Sequence, residues 1–148
     1  EFPSTLTHAE SDAIILASEV RRAQTGFGFA AVTTLSGDFL GMCGLSIPGY
    51  DTPFTPCVEI GWRFATSAWG KGYASEAAHA WLDYGFTIQG LDEIVSFTAQ
   101  TNLRSEAVMR RIGMTRDRGG DFLHPSLAPE HRLASHMLYR LQRKDFQR

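Results

Sequence analysis

Cysteine is scarce in this chain. Of 148 residues only Cys43 and Cys57 carry a thiol, and their spacing is neither that of a redox pair nor that of zinc ligands. A disulfide scaffold and a structural zinc site are therefore not expected, and both thiols are expected to be buried as small hydrophobes. An excess of one charge is also missing: 14 basic residues face 16 acidic ones, for a net charge of −2. Nucleic-acid binding needs clustered Lys and Arg to meet phosphates, whereas here only Arg110-Arg111 and the last six residues are dense in them, so no nucleic-acid partner is expected. No apolar run approaches the roughly 20 residues that cross a bilayer, which argues against a membrane role. The start, Glu1-Phe2-Pro3, has neither Met nor a charged, apolar, small-residue leader, so the expectation is a cytoplasmic protein whose true start is missing. His124, His131 and His136 lack the spacing of a short helical metal motif, and no metal is expected.

What is present fits one domain over residues 1–148. Thr7-His8-Ala9-Glu10 has the spacing of a capping box, and Ala13, Ile14, Ala17 and Val20 recur at helical intervals. A helix over about Thr7 to Ala23 follows. Phe27 to Thr34 and Phe39 to Ile47 read as a β-hairpin turning at Ser36-Gly37-Asp38. After a loop broken by Pro48, Gly49, Pro53 and Pro56, Val58, Ile60, Trp62 and Phe64 alternate with Glu59, Gly61 and Arg63 as a strand with one buried face. Ala74, Ala77, Ala78, Trp81 and Leu82 form a helical stripe reaching Phe86. Glu93 to Thr98 reads as a buried strand, and Asn102 to Ile112 as a helix with Ala107, Val108 and Ile112 on one side, ended by Gly113. Met114 to Phe122 and Ser135 to Leu141 complete the order. The class is α/β with a mixed sheet, because the helix between strands 58–64 and 93–98 can serve as a parallel crossover.

Between a strand and a helix lies Trp69-Gly70-Lys71-Gly72-Tyr73-Ala74. Glycines there let backbone amides approach a phosphate, and the helix start adds partial positive charge toward the same anion. A dinucleotide fingerprint would need a third glycine where Ser75 stands. A nucleotide-triphosphate loop would need Ser or Thr where Gly72 follows Lys71. Both rivals lose their mechanism.

Glu59-Ile60-Gly61-Trp62-Arg63-Phe64, Trp69 through Ala77, Asn102-Leu103-Arg104-Ser105 and Arg111-Ile112-Gly113-Met114, in this order and spacing, resemble the Gcn5-related N-acetyltransferase superfamily. They are most similar to its branch of ribosomal-protein N-terminal acetyltransferases, and the resemblance runs from about Phe27 to Tyr139. It implies a mostly antiparallel central sheet flanked by helices, splayed between strands 58–64 and 93–98. It implies acetyl-CoA as co-substrate, with its pyrophosphate on the amides of Trp69, Gly70, Lys71, Gly72, Tyr73 and Ala74 and its pantetheine arm along Arg63 and Phe64. A backbone amide near Trp62 or Arg63 would polarise the thioester carbonyl. Trp69 departs from the superfamily's loop consensus but resembles the branch.

Transfer to an amine needs a base, a polarised carbonyl and a proton for the leaving thiolate. Glu59, on the strand beside the implied thioester, is the candidate base, with a structural salt bridge as the competing reading. Asn102 is a helix cap that in relatives also contacts CoA, and Ser105 matches the branch's serine near the cofactor sulfur. The superfamily's usual tyrosine acid is replaced by Met109, which leaves Ser105 as the acid.

Trp62, Trp69 and Trp81 read as packing residues rather than ligand stackers, and Arg110-Arg111 as a solvated helix face rather than phosphate ligands. His124 reads as a surface or structural residue more readily than as a wall of the acceptor pocket. Relatives carry a strand and a helix before the first helix seen here, so a longer natural protein or an intersubunit contact, such as a homodimer, is expected to cover the exposed edge. The acceptor is a protein N-terminus or a small-molecule amine. Asp51, Glu59, Asp121 and Glu130 are too dispersed for an acidic groove. A non-catalytic CoA-binding regulatory module is the alternative, with transfer of a longer acyl group a third reading that Trp62 or Phe64 would tend to block.

Overall fold

The computed structural model describes residues 6–147, so Glu1-Phe2-Pro3 lies outside the described residues. The capping box forms as read: Thr7 Oγ1 accepts from the Glu10 amide at 3.3 Å and the Thr7 amide donates to Glu10 Oε2 at 2.8 Å. It opens α1, His8–Thr25, which Gly26 ends in the left-handed region. The apolar stripe does not bury, however: Ile14 is 47% and Val20 51% exposed, and no residue of α1 is buried. A helix periodicity reports an apolar face but not what covers it. α1 touches the body near its end, where Ser18 Oγ accepts from the Phe29 amide at 3.2 Å.

The expected strands appear with ends moved by one or two residues: β1 Phe29–Thr33, β2 Phe39–Ser46, β3 Glu59–Phe64, β4 Glu93–Ala99, β5 Thr115–Leu123 and β6 Ser135–Gln142. They form one sheet in the order β1-β2-β3-β4-β6-β5. Every neighbouring pair is antiparallel except β3 and β4, which are parallel. Helices α2, Tyr73–Asp83, and α3, Leu103–Arg111, complete the order. The stripe expected to continue α2 to Phe86 does so as a wider turn of π-helix over Tyr84–Ile88.

Cross-strand register sorts the side chains onto two faces. One face carries Cys43, Leu45, Ile60, Ile94, Met137, Tyr139 and Leu141, and these form the core with Ala78, Leu82 and Phe86 of the α2 region and with Met109 and Ile112 of α3. Two expectations change here. Ala107 is exposed, and Met109 takes a core position beside Ile112, with Val108 packed against the same core. Cys43 is buried, but Cys57, in the loop before β3, is only half-buried. Burial pushes the Cys43 thiol up to about 12, so it is an inert packing group.

The parallel pair is short. Glu59 and Val95 are its one registered pair, joined to the preceding turn by the Val95 amide donating to the Val58 carbonyl at 2.9 Å. One step further the ladder is replaced by a side chain, the Ser96 hydroxyl donating to the Ile60 carbonyl at 2.9 Å. Beyond that point β3 and β4 part, as the resemblance implied. Both Ser96 and Ile60 are buried, so Ser96→Ala leaves a carbonyl without a donor. A loss of about 1–3 kcal/mol is expected in urea unfolding, with no change in the far-ultraviolet circular dichroism of the folded protein.

Candidate functional site

The opening between β3 and β4 is flanked by the glycine loop. A short 3₁₀ turn, Thr66–Ala68, leads out of β3 into it. Gly70 and Gly72 have φ of 74° and 86°, and neither has an atom within 4 Å of where a Cβ would stand. The loop therefore needs glycine for its backbone and presents an open surface. Gly72 is the N-cap of α2 and makes no side-chain cap, so the amides of the first turn point outward without an intrahelical acceptor. The Trp69 amide is bonded to the Thr66 carbonyl at 3.2 Å, which leaves the exposed amides to residues 70 to 74.

Trp69 is outside the core and is tethered by a specific bond: its indole N–H donates to the Phe64 carbonyl at 2.9 Å. Its ring is 45% exposed, and the Arg104 guanidinium stands 4.3 Å over it. Arg111 is not simply solvated, because its Nη1 donates to Ser75 Oγ at 3.1 Å on the first turn of α2. Arg110 is held by Glu106 and by the Tyr139 hydroxyl. With exposed Lys71, α3 and the loop thus bring Lys71, Arg104 and Arg111 to the start of α2. Arg104 was missed as a site residue because its partner, Trp69, is 35 positions away in sequence.

At the start of α3, Asn102 is the N-cap and accepts from the Ser105 amide at 3.3 Å. Its amide group donates to Thr98 Oγ1 at 2.9 Å and to Ser105 Oγ at 3.0 Å. The Ser105 hydroxyl is held as an acceptor, which leaves its own proton to donate elsewhere. Met109, one turn on, is buried in the core.

Glu59 lies at the other end of the opening and on the other face of the sheet. Ser46 is its register partner on β2, and the Ser46 hydroxyl donates to Glu59 Oε1 at 3.1 Å. Among the described residues no basic side chain pairs with it, so the salt-bridge reading finds no support there. Burial pushes the Glu59 carboxyl up to about 7, while the bond from Ser46 pulls the other way. Arg63 follows two residues on along the same face, exposed at the mouth of the opening. Val58 and Ile60 direct their carbonyls at β4 and Ala65 bonds to β2. By alternation the Trp62 amide faces the gap and the Arg63 amide faces β2.

Around Glu59 the loop between β2 and β3 adds Tyr50, whose phenol is raised first by burial and then by the nearby Glu59 charge. Tyr50 and His124 rings lie 4.9 Å apart, as do His124 and His136. Burial lowers both histidines, and His136 lowers His124 further. His124 is therefore part of a ring cluster rather than a surface residue. Ser46 and Tyr50 carried no sequence signal, since each meets Glu59 through chain pairing. Among the described residues no group of three potential metal ligands converges, and no helix is long and apolar enough to cross a membrane.

A group whose folded pKa rises from 4.5 to about 7 holds its proton more tightly when folded. Between those values the folded state binds more protons than the unfolded one, so stability falls as pH rises. Glu59→Gln is therefore expected to gain stability relative to the parent protein as pH climbs from about 4.5 to 7 and to hold that gain above it. Ser46→Ala is expected to move the Glu59 titration, followed by carbon-13 NMR, to higher pH.

A sequence model of the acetyltransferase (GNAT) domain matches residues 2–115. The chain is 38% identical over 97 residues to the uncharacterized protein YkkB of Bacillus subtilis (strain 168), a stretch covering 64% of this chain and 55% of that one. It is 36% identical over 95 residues to FsC-acetyl coenzyme A-N(2)-transacetylase of Aspergillus fumigatus, covering 62% of this chain and 38% of that protein. The chain thus spans about half, or less, of the length of the curated relatives it matches. Among solved structures it is similar to an acetyltransferase from Agrobacterium tumefaciens str. C58, with a TM-score of 0.71 at 26% identity over 95% of this chain and 74% of that one. The match over residues 2–115 covers most of the 148 positions, and the chain belongs to the GNAT acetyltransferase domain family.

Proposed function

We propose that this chain transfers an acetyl group from acetyl-CoA to a primary amine by direct attack in a ternary complex. The observation that carries the proposal is Glu59: a half-buried carboxyl at the last registered pair before β3 and β4 part, with its pKa near neutrality. A carboxyl so placed is ionised enough at neutral pH to take a proton and basic enough to compete for one. A salt-bridged carboxylate would have the opposite shift.

In this reading the diphosphate of acetyl-CoA rests on the amides of residues 70 to 74, with Lys71, Arg104 and Arg111 supplying positive charge around it. Its pantetheine arm runs along β3 at Arg63 and Phe64, and the Trp62 amide, directed into the gap, polarises the thioester carbonyl. Glu59 takes one proton from the acceptor ammonium, directly or through a water. The freed nitrogen lone pair attacks the carbonyl carbon, a C–N bond forms, and the C–S bond breaks. The nitrogen, which carries two protons after the attack, sheds one to solvent as the C–S bond breaks. Ser105 gives its hydroxyl proton to the departing thiolate and regains one from solvent, and Glu59 returns its proton to solvent, leaving an amide and free CoA. Asn102 positions Ser105 rather than touching the reacting atoms.

The acceptor is a protein N-terminus or a small-molecule amine, and the blocks at 59–64, 69–77, 102–105 and 111–114 support the branch of ribosomal-protein N-terminal acetyltransferases. A cytoplasmic setting fits two cysteines that are both free. The test combines calorimetry with CoA and thiol release from acetyl-CoA in the presence of amines. Micromolar-range CoA binding that weakens with salt is expected for the parent protein. Glu59→Gln should keep that binding and lose about 10²–10⁴-fold in kcat, along with the acid limb near pH 7. A folded protein that ignores CoA, or a Glu59→Gln variant with unchanged turnover, overturns the proposal.

A further inference from the structure

Register places more than Glu59 on its face of the sheet. Val95 stands opposite Glu59, so Phe97, two residues along β4, projects from the same face about 7 Å further on. Ala99 pairs with His136, and His136 with Phe122 of β5, so those rings share that face. Phe54, from the loop before β3, packs against Phe97 at 5.7 Å and against Phe122 at 5.1 Å between centroids. Phe122 meets Phe97 and His136 at 5.5 Å each. With Tyr50 and His124, this makes a continuous wall of rings leading away from Glu59. Every one of them is half-buried, neither sealed in the core nor free in solvent.

The charges on the strands of this face are already matched. Glu93 and Asp117 both bind Arg140, at 2.7 and 2.8 Å. Among the described residues Glu59 is the strand carboxyl of this face with no basic partner. A polyamine or aminoglycoside carries several ammonium groups and would leave all but one facing rings and neutral histidines. An amine with one charge and one ring would satisfy both features at once.

We propose, resting on the acetyl-transfer reading, that the acceptor is a singly charged amine bearing an aromatic ring, seated with its nitrogen at Glu59 and its ring against Phe54, Phe97 and Phe122. A small arylalkylamine and a peptide whose first residue is aromatic share this chemistry, and the assay distinguishes them.

The test is thiol release from acetyl-CoA with phenethylamine, a tripeptide beginning with Phe, propylamine and spermidine, with CoA binding measured separately by calorimetry. Phenethylamine or the peptide should exceed propylamine in kcat/KM by roughly tenfold or more, the worth of burying one phenyl ring, and spermidine should be the poorest. Whichever of the first two leads identifies the source of the ring. Phe122→Leu, which keeps an apolar side chain of similar size, should raise KM for the aromatic acceptor and leave CoA binding unchanged. Equal or better turnover of propylamine or spermidine overturns the acceptor assignment while acetyl transfer stands. CoA binding with no turnover of any of the four amines also overturns it, and absence of CoA binding overturns the acetyl-transfer reading beneath it.

Discussion

The parting of β3 and β4 is the constraint on which the rest of the molecule depends. Two parallel strands that share one registered pair would ordinarily leave buried carbonyls and amides unmatched, at a cost of a few kcal/mol each. Here the Ser96 hydroxyl takes the place of the next ladder bond, closing Ile60's carbonyl so that the strands can diverge from a satisfied hinge. The neighbouring pairs, β2 with β3 and β4 with β6, keep full antiparallel ladders. The Trp69 indole then occupies the Phe64 carbonyl, which anchors the glycine loop at the open end.

The same register divides labour between the two faces. The face carrying Ile60 and Ile94 is filled by α2 and α3, whose first turns bring loop amides and cations to the opening. Among the described residues no helix residue of the core cluster lies on the face carrying Glu59, which is lined by rings and matched ion pairs. A strand residue can belong to only one face. Glu59 and the glycine loop therefore belong to opposite faces of the sheet and to opposite ends of the opening between β3 and β4.

Features encoded by neighbours in sequence were the legible ones. The Thr7–Glu10 box, the alternation from Val58 to Phe64, the Asn102 cap and the left-handed glycines each depend on residues within one turn or one strand. The four motif blocks carried the family. What escaped depends on distant partners: Arg104 over Trp69, Arg111 on Ser75, and Ser46 and Tyr50 beside Glu59. Met109 was read only as a missing tyrosine, although its burial in the core is a packing role in its own right. The stripe on α1 was legible as a pattern and misleading as burial, because amphipathicity states a need for cover without naming the cover.

Glu59 shows why such a site resists reading from sequence. An acidic residue on an alternating strand has the default of facing water, and nothing local distinguishes it from one that does not. Its basicity arises from burial, opposed only by one hydroxyl from β2. Adding a cation would make the carboxyl cheaper to bury and useless as a base; removing Ser46 would make it more basic but less often ionised. The two effects set a narrow interval in which a carboxyl is both tolerable to the fold and able to accept a proton at neutral pH. The absence of a basic partner among the described residues, which looks like a defect in the packing, is what keeps Glu59 within that interval.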